Sequence, residues 1–173
     1  MKTLLSLATA ALVLLPGQFA QAAPVTASAT IAGKPISIKY TGPSVRGRKV
    51  FTPAGPIARD SSYPVWRAGA DTSTTLHTEA DLKIGALTVP KGDYSVYVDL
   101  KDVEHWQLII NKQTGQWGTE YDQKQDLGRV PMTMSKAAAP VEVLKYTITA
   151  AGSTGKITLE WENYSASVNI EGK

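Results

Sequence analysis

The 173-residue chain carries 18 basic and 15 acidic side chains and no cysteine. A balance so close to neutral lacks the concentrated basic surplus that phosphate-backbone binding requires, which excludes a nucleic-acid partner. Without cysteine there is neither a disulfide framework nor a lipid-modified N-terminal anchor.

The N-terminus opens with Met1-Lys2, an apolar run from Leu4 to Leu15, then Pro16-Gly17 and the small-residue site Ala20-Gln21-Ala22. A positive start, an apolar stretch too short to span a bilayer and an A-x-A site form the pattern of a cleaved export signal. Residues 1–22 are therefore expected to be removed, leaving a periplasmic or secreted chain with no stable membrane insertion. Residues 23–173 then form a single domain, large enough to bury its own core. Loss of Lys2 leaves a charge balance of 17 basic to 15 acidic groups.

Val25–Ile31 and Ile36–Tyr40 alternate apolar and polar residues around Gly33, which predicts two paired strands. Ser44–Phe51 then places Arg46, Arg48 and Lys49 together, as expected of a solvated edge strand or of an anion site. The span from Thr52 to Asp71 contains Pro53, Gly55, Pro56, Pro64 and Gly69 and is expected to be a long loop. Loops of that length are disproportionately functional, which singles out Trp66 and Arg67. Their alternative role is a plug over the core.

Short β-patterned segments follow at Thr72–Thr78, Leu82–Ile84 and Leu87–Val89, and a longer one carries Tyr94, Val96, Val98 and Leu100 on one face. Trp106, Leu108 and Ile110 share a face in the next segment, opposite Gln107, Ile109 and Asn111. A glycine-containing loop then presents Trp117 and Tyr121. Val130, Met132 and Met134 alternate, Ala137–Pro140 is expected to bend, and Leu144–Ile148, Ile157–Trp161 and Ala166–Ile170 supply the last strands. The reading is all-β: an antiparallel, jelly-roll-like β-sandwich of about ten short strands.

Catalytic motifs are absent. No G-x-S-x-G elbow occurs, and Gly152-Ser153-Thr154-Gly155-Lys156 lacks the spacing of a phosphate loop and lies between strands, as a hairpin turn would. His77 and His105 lack paired ligand spacing, so no metal and no cofactor is expected. Two convergent carboxylates would permit glycoside hydrolysis, but Glu104, Glu120, Asp122 and Glu160 cannot be placed together by pattern, and Glu160 and Glu162 are expected to face solvent. Trp106 and Trp161 lie in phase with aliphatic neighbours and are predicted core. Trp66 and Trp117 fall in loops, where aromatic rings beside arginine and amide groups suit a sugar or an anionic envelope component. The candidate binding set is Arg46, Arg48, Trp66, Arg67, Asn111, Trp117 and Tyr121. Three functions fit: a non-catalytic binding domain for a glycan or envelope ligand, a carboxylate-dependent periplasmic hydrolase, or a structural or interaction sandwich.

The segments Ser44–Phe51, Val65-Trp66-Arg67-Ala68-Gly69-Ala70, Gly92-Asp93-Tyr94-Ser95, Asn111-Lys112, Gln116-Trp117-Gly118 and Leu159-Glu160-Trp161-Glu162 run in order along the chain. In these the sequence resembles the secreted bacterial family called domain of unknown function 2911, from about Tyr40 to Ile170. The resemblance implies an extracytoplasmic β-domain and no particular activity. The chain has Asp71 where the resemblance leads one to expect asparagine.

The signal pattern makes a direct prediction. Intact mass of the protein recovered from periplasm or medium should correspond to a chain starting at Ala23; recovery of the full-length chain from the cytoplasm alone would contradict it.

Overall fold

The computed structural model describes residues 22–173, so the expected signal segment lies outside the described residues except for Ala22. Eleven strands are described: β1 Val25–Ile31, β2 Lys34–Tyr40, β3 Val65–Trp66, β4 Thr74–Thr78, β5 Leu82–Ile84, β6 Leu87–Val89, β7 Gly92–Asp99, β8 Gln107–Asn111, β9 Asp126–Pro131, β10 Thr133–Ala151 and β11 Thr154–Gly172. They build two sheets. The larger has the order β1-β2-β4-β7-β8-β9, with β3 added on β7; the smaller runs β10-β11-β5-β6. Every pairing is antiparallel. Helical structure among the described residues is limited to two 3-10 turns, Ile57–Arg59 and Gln123–Gln125.

The period-two pattern decides which faces meet. Ile36 and Ile38, Leu76, Val96 and Val98, and Leu108 and Ile110 point inward from the larger sheet. Tyr146, Ile157, Leu159, Trp161, Val168 and Ile170 meet them from the smaller one. Each is at most a few per cent exposed; burying a large aliphatic side chain stabilises by about 1.5 to 3 kcal/mol. The opposite phase of β7 and β8 is apolar too. Tyr97 and Ile109 face outward with Val65 and form a second, small cluster against which Tyr121 packs. Segment 112–125 covers this outer face, so the larger sheet is clothed on both sides around β7 and β8.

An aromatic cluster joins the two sheets. Trp66 of β3 stacks on Trp161 of β11, centroids 5.6 Å apart and planes 14° apart. Trp106 stacks on Tyr164 at 5.4 Å. Phe51 is wedged among all four rings, 4.7 Å from Trp106 and 5.7 Å from Trp161.

Three local expectations are corrected. Ser44–Phe51 is not an edge strand: Arg46 and Gly47 adopt left-handed φ of 50° and 68°, and only an isolated bridge, Ser44 to Val143, remains. The turn carries Val50 and Phe51 into the core, where the Val50 N–H donates to a carboxylate oxygen of Glu162 at 3.2 Å; Glu162 thus caps a loop as well as flanking a strand. Second, the Thr52–Asp71 span contains the first 3-10 turn and β3, and Trp66 is buried at 2 % exposure. Third, Ala137–Pro140 lies within β10, where the register against β11 shifts between Lys136 and Val141. Proline has no N–H for the ladder, and a bulge accommodates it without ending the strand.

Trp161→Ala removes one half of the stack between sheets. It should lower unfolding free energy by about 3 to 5 kcal/mol, measured by denaturant titration; a loss below about 1 kcal/mol would place the ring outside the core.

Candidate functional site

The candidate site grows from the alternation along β3. Trp66 turns inward, so Val65 and Arg67 turn the other way. The Arg67 guanidinium is fixed by two bonds: one terminal nitrogen donates to the Asp71 carbonyl at 3.2 Å, and the other to the Asp60 carboxylate at 3.0 Å. Both partners are partly buried, with the Arg67 side chain 14 % exposed. Its aliphatic stem lies against Gly118. A Cβ there would stand 2.7 Å from the Asp71 carbonyl and would overlap Arg67, so only glycine permits the approach.

Two loops are zipped together at this point. Gly118 N–H donates to the Asp71 carbonyl at 2.8 Å and Ser73 N–H to the Gln116 carbonyl at 3.1 Å, forming an isolated bridge between Thr72 and Trp117. Glu120 N–H donates to the Trp117 carbonyl at 2.9 Å. The backbone around Trp117 is pinned, yet the residue is 47 % exposed. The Arg67 guanidinium carbon lies 5.9 Å from the ring centroid, a cation–π arrangement. Opposite this loop, Ala68 and Asp71 hold left-handed φ of 49° and 64°. These are uncommon for residues with a Cβ, aspartate tolerating the region better than alanine.

Between the loops lies a cleft of about 260 Å³, lined by Pro43, Arg48, Pro56, Ile57, Asp60, Trp66, Arg67, Gly69, Ala70, Asp71, Trp117 and Trp161. The cleft brings together Arg48, Trp66, Arg67 and Trp117 from the sequence-derived set. Trp66 contributes a buried wall, not an open platform. The Arg48 side chain donates to the carbonyls of Val45 at 2.9 Å and Ser44 at 2.6 Å. Arg46 is exposed at the neighbouring turn, its N–H bonded to Glu142, and does not line the cleft.

Asn111 and Tyr121 are placed elsewhere. Asn111 is fully buried; its amide donates to the Asp122 carbonyl and the Asp126 carboxylate, each at 2.9 Å, and its oxygen accepts from Gln113 N–H. The Tyr121 hydroxyl donates to Asp126 at 2.6 Å and accepts from Arg129 at 2.8 Å, while Arg129 also binds Asp99 at 2.6 Å. Burial raises the Tyr121 pKa well above the usual tyrosine range, Asp126 adds to this, and the Arg129 charge partly opposes it. The hydroxyl therefore remains a donor. This network anchors the far end of the loop that presents Trp117.

Sequence reasoning missed Asp60, Asp71, Gln116 and Gly118. Gln116 is buried; its amide donates to Ser95 at 3.1 Å and to the Tyr97 hydroxyl at 2.9 Å, holding the residue before Trp117. Burial raises the Tyr97 pKa, with the Gln116 bond and the Arg67 charge acting the other way. An aspartate in a loop and a glutamine before tryptophan carry no periodic signal. His77 and His105 pair separately with Asp93 and Asp102. No group of three or more metal-ligating side chains occurs among the described residues, and no described helix is long and apolar enough to cross a membrane. Glu104, Glu120, Asp122 and Glu160 do not line the cleft.

The molecule is thus an antiparallel β-sandwich with an aromatic and guanidinium-lined cleft. The chain belongs to the family described as protein of unknown function DUF2911, whose model matches residues 22–170. No curated protein and no solved structure matches it.

Arg67→Ala would strand the Asp60 carboxylate and free the Asp71 carbonyl. It should cost on the order of 1 to 3 kcal/mol in denaturant unfolding. A stability equal to wild type would show that the guanidinium is not a strut.

Proposed function

We propose that the domain is an extracytoplasmic, non-catalytic binding module that seats its ligand in the Trp117 cleft. The observation that carries this reading is a tryptophan left half exposed while its carbonyl and the backbone of both neighbours, Gln116 and Gly118, are hydrogen-bonded. A ring needed only for packing gains nothing from that position, whereas a fixed platform binds without an ordering cost. The lining combines an apolar face with guanidinium and carboxylate groups, which suits a glycan or an anionic envelope component. The export reading rests on the N-terminal signal pattern.

Binding is favoured over hydrolysis by the state of the two cleft carboxylates. Glycoside hydrolysis uses a pair, one as acid and one as base or nucleophile. Asp60 is engaged by Arg67, which leaves Asp71 alone.

The test is co-sedimentation of the purified protein with insoluble bacterial envelope fragments, wild type beside Trp117→Ala. The wild type should pellet and the variant should not, with melting temperatures within about 2 °C because an exposed ring adds little to stability. Equal pelleting of the two, or none by either, would sink the proposal.

A further inference from the structure

Resting on that binding reading, we infer that the ligand is an uncharged glycan, one sugar ring lying on the open face of Trp117 with its hydroxyls donating to the Asp71 carboxylate.

The charges in the cleft decide against an anion. Its lining contains two guanidinium groups and two carboxylates, Arg48 and Arg67 with Asp60 and Asp71, which balance. Arginine holds a carboxylate or phosphate most strongly when it presents two parallel N–H groups. Arg67 directs its terminal nitrogens at Asp71 O and Asp60 Oδ2. Arg48 directs Nε and one terminal nitrogen at Val45 O and Ser44 O. Each guanidinium is thus already bound to two oxygens of the protein, both of Arg48's being loop carbonyls, and an entering anion would meet Asp71.

A sugar hydroxyl meets the opposite situation. An ionised carboxylate only accepts, and the Asp71 side chain has no hydrogen-bond partner among the described residues. Its placement is set by its backbone: the Asp71 carbonyl accepts from both Gly118 N–H and Arg67, and φ is 64°. The backbone that carries the acceptor is therefore fixed before ligand arrives. Arg67 covers one face of Trp117, leaving the other for the C–H face of a pyranose, whose hydrogens carry the partial positive charge that a ring face attracts. At about 260 Å³ the cleft is below the range of about 300 to 1,000 Å³ typical of drug-sized ligands. One ring with its substituents fits that scale better than a buried chain.

The experiment titrates the purified protein with neutral oligosaccharides (cello-, malto- and N-acetylchito-series) and acidic ones (oligogalacturonides, heparin fragments), followed by calorimetry and tryptophan fluorescence. Expected is saturable binding of a neutral series that is unchanged between about 0.05 and 0.5 M salt. It should be abolished in Trp117→Ala and weakened about tenfold in Asp71→Asn, which keeps a residue tolerant of left-handed φ. Melting curves of both variants should match wild type, as a check that they are folded. Binding of acidic series alone, lost in Trp117→Ala, would overturn the uncharged ligand while leaving the cleft reading intact. Neutral binding unaffected by Asp71→Asn would overturn the role of the carboxylate. Failure of every series, with envelope pelleting still dependent on Trp117, would overturn the glycan alone; failure of both assays would overturn both proposals.

Discussion

The stack of Trp66 on Trp161 is the contact on which the cleft depends. Trp66 belongs to a strand of two residues, too short to hold itself by ladder bonds, and Trp161 belongs to the other sheet. Burial of the two rings supplies what the ladder lacks, since aromatic pairs add about 0.5 to 1.5 kcal/mol beyond their area. Once Trp66 is fixed inward, chain alternation leaves Arg67 no choice of side. The guanidinium then reaches Asp60 and Asp71, and the loop from β3 to β4 closes around it. A core contact thereby sets the direction of a cleft side chain.

The second wall is fixed from the outer face of the larger sheet. Tyr97 and Ile109 make that face apolar, and segment 112–125 must cover it. Coverage brings charged groups out of water, and the sequence compensates by pairing them: Arg129 between Asp99 and Asp126, Tyr121 on Asp126, Asn111 beneath. Such networks cost desolvation and add little net stability, but removing one partner leaves an unpaired buried charge. Their effect here is geometric. They hold one end of the loop while Gln116 and the Thr72–Trp117 bridge hold the other, so Trp117 is presented by a loop anchored at both ends.

What was legible in the sequence follows from what repeats. Strands with strict alternation, such as Ile36–Tyr40 and Leu144–Ile148, announced both their existence and their buried faces, because period two maps directly onto sheet faces. Trp106 and Trp161 were readable as core for the same reason. Trp66 was not: two residues give no period, and the surrounding prolines and glycines describe a loop while its side chain is buried. Phe51 was hidden behind a turn that needed left-handed backbone at Arg46, a conformation arginine does not advertise. Asn111 read as a polar strand end open to ligand, yet the partners that bury it, Asp122 and Asp126, lie 11 and 15 residues further on. Arg67 and Trp117 were legible as loop residues, but their meeting depends on Gly118 and on a carbonyl of Asp71, and backbone acceptors are invisible to composition.

The local conformations around the cleft bear on whether it is merely a by-product of packing. Ala68 and Asp71 both occupy left-handed backbone within four residues, a conformation that costs a residue with a Cβ about 1 to 2 kcal/mol, and aspartate less than alanine. Glycine would relieve that cost at either position. At Ala68 the benefit is visible in the core: the side chain is fully buried, and its carbonyl accepts from Thr74 and Tyr146, so a methyl fills space there. At Asp71 no equivalent return exists within the protein. Its side chain is only partly buried and makes no hydrogen bond among the described residues, and the carbonyl that binds Arg67 and Gly118 would serve as well in glycine. The same loop leaves an indole in solvent. A left-handed backbone position, an unpartnered carboxylate and an exposed aromatic ring meet in one cleft, and the proposed ligand, by satisfying both side chains, would account for their meeting there.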